Sequence, residues 1–135
     1  MNKLFDVRNF FGVILLIGII GFTQCSGGVD GQLKVIAKEA NKQCPKNLDI
    51  FTRLDSCATF PDKHYKYYHT ITGVEVTDTM LFKTQLLPQI VKTIKVTPDM
   101  RFFRENDVIL EYQYNDDLGK YLFSIVAGPQ DYKSK

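Results

Sequence analysis

This 135-residue chain has no long apolar stretch beyond one short run near its start. That run, Phe10 to Phe22 (FFGVILLIGIIGF), holds thirteen residues, whereas crossing roughly 30 Å of hydrocarbon takes about 20. The length suits the apolar part of a secretory signal, with Lys3 and Arg8 ahead of it. An uncut helix would have to span by thinning the bilayer locally. Excess charge of one sign is equally scarce. The net charge is +2, and losing Lys3, Asp6 and Arg8 with the first 24 residues leaves 15 basic side chains against 14 acidic ones. No basic stripe survives, which excludes nucleic acid as a partner. Cysteine is limited to three residues with no CxxC and no histidine pair at ligand spacing, so a zinc site is a poor reading. There is no GxSxG-like elbow to present a nucleophilic serine. The length leaves room for only one domain.

The first cysteine stands just behind the apolar run, in IGFTQCSGG (Ile20 to Gly28). Phe22, Thr23 and Gln24 before Cys25 resemble a lipobox, the tripeptide preceding the lipidated cysteine of bacterial lipoproteins. Phe22 stands where leucine is usual and Gln24 where glycine or alanine is usual. No A-x-A-like site follows as a competitor. Residues 1–24 are thus expected to be a signal peptide or membrane anchor, 25–31 a tether, and 32–132 a single domain. With Cys25 as a lipid anchor, Cys44 and Cys57 remain as a pair. A disulfide between them would contribute roughly 3 kcal/mol, and the other reading is two buried thiols.

The composition beyond the signal is that of a folded chain, with 44% hydrophobic and 24% charged residues overall. Asp30 is placed to cap a helix with Leu33, Ile36, Ala37, Ala40 and Cys44 on one face, stopped by Pro45. From Leu48 the period changes to two. Ile50, Thr52, Leu54, Ser56 and Ala58 are expected on the core side, alternating with Phe51, Arg53, Asp55 and Cys57. PDK turns the chain into HYKYYHTI, with Tyr65, Tyr67, His69 and Ile71 on one face. Thr77 and Asp78 open a long helix with Met80, Leu87, Val91 and Ile94 in one stripe and Phe82, Leu86 and Ile90 beside it. Pro88 should kink or divide it. A short helical segment over Asp99 to Glu105 leads into a hairpin of Val108 to Tyr114 and Tyr121 to Val126. The predicted class is α+β, α-β-β-α-β-β, with a four-stranded antiparallel sheet covered by helices on one face.

NKQCPKNLDIFTRLDS, YKYYHTI, MRFFRENDVILEYQYNDDLGKYLF and the closing GPQDY resemble a loose class of small, exported, uncharacterised proteins of Gram-negative bacteria. The resemblance implies an envelope location and a compact α+β fold. It implies no catalytic residue and no cofactor, and Cys44 and Cys57 are not part of its pattern.

The residues themselves support no active site. Asp55 and Ser56 near His64 and His69 lack the convergence that nucleophilic catalysis needs. His64 and His69, five apart on a strand, point to opposite faces, so no metal is expected there. Asp116, Asp117 and Gly119 make a turn rather than a calcium loop. The best local guess at a site is a sheet face carrying Phe51, Arg53, Lys66 and Tyr68. The expected function is that of a non-enzymatic protein, exported to the periplasm or outer membrane or held at the inner membrane, joined to the membrane by its N-terminal lipid or helix and binding another envelope protein. A periplasmic inhibitor or immunity-type protein is the alternative.

Overall fold

Helix α1 (Gly28–Asn41) opens the part of the chain that the computed structural model describes, residues 27–134. Cys25 and the signal-like run lie outside those residues. Leu33 and Ala37, four apart, form the buried stripe of α1, with Ile36 and Ala40 packed beside them. Asp30 is not its cap, because the helix already begins at Gly28. Its carboxylate instead accepts the Lys63 backbone N–H at 2.8 Å, which pins the start of α1 to the turn between the second and third strands.

Five strands follow in two groups: β1 (Lys46–Asn47), β2 (Thr52–Phe60) and β3 (His64–Ile71), then β4 (Ile109–Asn115) and β5 (Tyr121–Ala127). They pair in sequence order. The sheet is mixed, not the four-stranded antiparallel one expected, because β3 and β4 run parallel. Helix α2 (Thr79–Val96) explains this. At 1.5 Å per residue it covers about 27 Å, enough to return the chain to the end where β3 began, so β4 must start there too. Pro88 lies inside α2 without dividing it. Pro98–Met100 forms a 3-10 turn, and α3 (Arg101–Glu105) delivers the chain to β4.

Residues 48–51 form a loop instead of the start of a strand. One oxygen of Asp49 accepts the N–H groups of both Phe51 and Thr52 at 2.8 Å, closing a side-chain turn that competes with extension. Within β2 a bulge between Leu54 and Ser56 shifts the alternation. Cys57 therefore faces the core and Ser56 does not, the reverse of the expected faces. The Asn41 side chain supports the bulged region. Its amide donates to the Cys57 carbonyl at 2.9 Å and accepts the Cys57 N–H at 2.7 Å.

The helices cover one face of the sheet, α1 over β2 and α2 over β5. Under them runs an aromatic row: Tyr67 stacks on Tyr112, His69 on Tyr114, and Tyr114 on Phe123, with ring centroids 4.9, 4.8 and 4.9 Å apart. Helix α4 (Pro129–Tyr132) closes the domain. Its buried Tyr132 donates to the Val108 carbonyl at 2.8 Å.

The strand directions give the sheet two unlike ends. The β2–β3 turn, the start of α1 and the start of β4 share one end. The loop before β2, the loop after β3, the start of α2 and the β4–β5 hairpin share the other.

Candidate functional site

The uncovered face of the sheet brings together three of the four residues expected to meet a partner. Arg53 pairs with Thr70, Ser56 with Tyr68, and Ala58 with Lys66 across β2 and β3, so the bulge does not remove Arg53, Tyr68 and Lys66 from one surface. Phe51 sits in the loop at the edge of this face, its ring close to Gly73.

The charges there are compensated within the face. Arg53 Nε donates to Asp55 Oδ1 at 2.6 Å, while the Thr70 hydroxyl donates to Asp55 Oδ2 at 2.6 Å. Lys66 Nζ lies 2.9 Å from one oxygen of Glu111 and His64 Nε2 lies 2.9 Å from the other. The His64 contact is close enough for an ion pair, although its ring N–H is not aligned as a hydrogen bond. Burial pushes the Glu111 carboxyl up, but Lys66 and His64 outweigh it and hold the group below its ordinary value. Lys66 also stands 5.0 Å above the Tyr68 ring. Such a face has its side chains oriented before any partner arrives, and its recognition would come more from shape and the half-exposed Arg53 than from free charge.

The same contacts keep Asp55, Ser56, His64 and His69 from converging as a catalytic group. Both oxygens of Asp55 are engaged, by Arg53 and Thr70. His64 lies on the open face, whereas His69 is buried at 4% exposure in the aromatic row. Burial holds the His69 imidazole below its ordinary pKa, against the opposing pull of the Gln113 carbonyl and Asp55. Among the described residues, no three metal-binding side chains gather.

Cys44 and Cys57 are free thiols here, Cys44 half-buried and Cys57 buried, and the candidate bridge between them is not shown. The Cys44 Sγ lies 3.4 Å from the Ala40 carbonyl at the end of α1. Burial raises the Cys57 thiol, and nearby Cys44 adds to the rise.

Sequence reasoning missed the concentration of apolar side chains at one end of the sheet. Leu48 and Ile50 were expected in a strand and Met80 in a buried helical stripe, yet Met80 is 70% exposed. The available signal was Asp49, whose position two and three residues before Phe51 and Thr52 suits a side-chain turn.

Solved structures with this arrangement include a secreted protein and two secretion-system pilotins. A Pseudomonas aeruginosa protein assigned as secreted aligns over 77% of this chain and 92% of its own, with a TM-score of 0.67 and 10% identity. The type II secretion system pilotin EpsS of Vibrio vulnificus aligns over 82% of this chain and 100% of its own, at a TM-score of 0.60 and 11% identity. The type II secretion system pilotin AspS of Vibrio cholerae aligns over 82% and 97%, at 0.61 and 9%. These likenesses establish a shared fold. Residues 30–123 match the family described as a domain of unknown function, DUF8479, and the chain belongs to that family. No curated protein matches it in sequence.

Proposed function

We propose that this protein is a non-enzymatic component of the bacterial envelope, exported, anchored through Cys25, and built to bind another envelope protein. The observation that carries the reading is the fold shared with two type II secretion pilotins over 82% of the chain. The lipobox-like residues before Cys25, and the lack of a convergent acid, base and nucleophile among the described residues, agree with it. The open sheet face with Phe51, Arg53, Lys66 and Tyr68 is the proposed contact.

Two measurements test the parts separately. Intact mass of protein taken from its native membrane should correspond to loss of residues 1–24 with acyl and diacylglyceryl groups added at Cys25, and an unmodified mass removes the anchor. The same spectrum with and without reduction reports whether Cys44 and Cys57 are joined in the cell. Changing Arg53→Ala together with Tyr68→Ala should reduce recovery of a co-purifying envelope partner at least about tenfold, the effect of a loss of roughly 1.4 kcal/mol. Thermal stability should stay close to that of the parent. Equal loss of capture and stability would mean that the pair only holds the sheet.

A further inference from the structure

Eight of the twelve large hydrophobic residues exposed among the described residues lie at the sheet end away from the start of α1. Ile50 and Leu118, 84% and 90% exposed, are the most prominent. Phe51 and Val74 stand on the neighbouring loops, Met80 on the first turn of α2 and Tyr121 at the start of β5. Scattered surface leucines need no explanation, but this concentration at one end does.

The backbone that presents these side chains is held in place by carboxylates. Asp49 accepts two backbone N–H groups around Phe51, Asp78 caps α2 by accepting Leu81 N–H at 2.9 Å, and Asp116 accepts the N–H groups of Leu118 and Lys120 at 3.0 and 2.8 Å. These bonds fix the apolar tips without neutralising the acids. With Glu75 and Asp117, five carboxylates stand on the loops and turns of this end, against Lys46, Lys83 and Lys120 and an Arg53 already paired with Asp55. An apolar centre within an acidic rim favours an occupant with the opposite pattern.

We infer that this end docks a cationic amphipathic segment of another envelope protein, its apolar side chains meeting Ile50, Met80 and Leu118 and its lysines or arginines reaching Asp49, Asp78 and Asp116. The inference rests on the partner-binding reading above and adds the chemistry of the partner. The alternatives fit the same surface less well. An anionic lipid surface would be repelled by the rim, and two copies meeting end to end would oppose like charge. The end also lies across the sheet from Gly27 and Gly28, where the chain arrives from the anchor side.

The test uses the full chain in nanodiscs of phosphatidylcholine and two dye-labelled helical peptides of about 18 residues, five turns long, one of leucine and lysine and one of leucine and glutamate. Fluorescence anisotropy should show binding of the lysine peptide, weakened by salt, and none of the glutamate peptide. Ile50→Ser with Leu118→Ser should weaken it at least about tenfold; Val35→Ser with Val96→Ser, which removes exposed apolar surface away from this end, should leave it unchanged. Ile50 and Leu118 are both highly exposed, so the fold should survive, which circular dichroism checks. Equal binding of both peptides, no binding of the lysine peptide, or insensitivity to the Ile50 and Leu118 pair overturns the inference. So does self-association, or capture by phosphatidylglycerol vesicles, that the same pair abolishes. If the lysine peptide fails while the native partner is still lost on changing Arg53 and Tyr68, only this inference falls; if that partner also binds the variant normally, the sheet-face reading falls with it.

Discussion

Replacing Tyr65 with alanine should lower the free energy of unfolding by about 3–5 kcal/mol, the range for removing a large buried aromatic ring. Tyr65 is 1% exposed and lies where the two layers meet. Its ring makes an edge contact with Phe103 at 5.2 Å and a tilted one with Tyr67 at 4.9 Å. Leu33 from α1, Ile94 from α2 and Val108 before β4 belong to the same buried cluster. Alanine would therefore leave a cavity bounded by several elements, and no single one could close it by moving. Burial, with the nearby Cys57 thiol next in importance, pushes the Tyr65 phenol far above its ordinary value, so the hydroxyl stays neutral. Tyr65→Phe separates the ring from the hydroxyl and should cost only about 1 kcal/mol. Urea unfolding monitored by circular dichroism would measure both, with an unchanged denaturant slope showing that the two-state comparison holds. A loss below 1 kcal/mol for the alanine variant would show that Tyr65 does not join the two layers.

The faces of β3 were legible because HYKYYHTI alternates cleanly, and Tyr65, Tyr67, His69 and Ile71 do share the covered side. The β4–β5 hairpin was legible for the same reason. The parallel pairing of β3 and β4 was not, since it depends on how far α2 carries the chain across the sheet, a property of the assembled layers. The faces of β2 were misread from the bulge onward. The bulge beside Leu54 moves Cys57 inward, and what stabilises that shift is Asn41, sixteen residues earlier on another element. Local periodicity contains no record of such a partner. The proposed contact shows the same division. Arg53, Lys66 and Tyr68 could be placed on one face from alternation, but their compensation by Asp55 and Glu111 required the register between strands. The apolar end was hidden for a different reason. Isoleucine and methionine are read as core by default, and only the turn closed by Asp49 reveals that Ile50 faces water, whereas Leu118 already fell within the turn between the last two strands.

Stability should fall as the pH drops below about 6.5, and His69 should be the main cause. In the unfolded chain an imidazole takes up its proton near 6.5. Folded, His69 is stacked among Tyr67, Tyr112 and Tyr114, with Nδ1 3.3 Å from the Gln113 carbonyl. Burial lowers its pKa there, and the opposing effects of Gln113 and Asp55 are smaller. Just below pH 6.5 the unfolded state therefore binds a proton that the native state does not. Unfolding is then favoured by acid, with a slope approaching about 1.4 kcal/mol per pH unit until the folded-state pKa is reached. Above pH 7.5 the group is neutral in both states and should contribute no slope. The carboxylate of Glu111 is also lowered on folding, but its stabilisation is lost only at more acid pH, as the usual carboxylate range is passed. Urea titrations between pH 5 and 8 separate the two windows. His69→Phe keeps a flat ring in the stack and has no proton to bind, so its stability should be nearly level across that interval even if its absolute value differs from the parent. A parent slope that survives in the phenylalanine variant would assign the acid sensitivity to another group and place His69 in the aromatic row for packing alone.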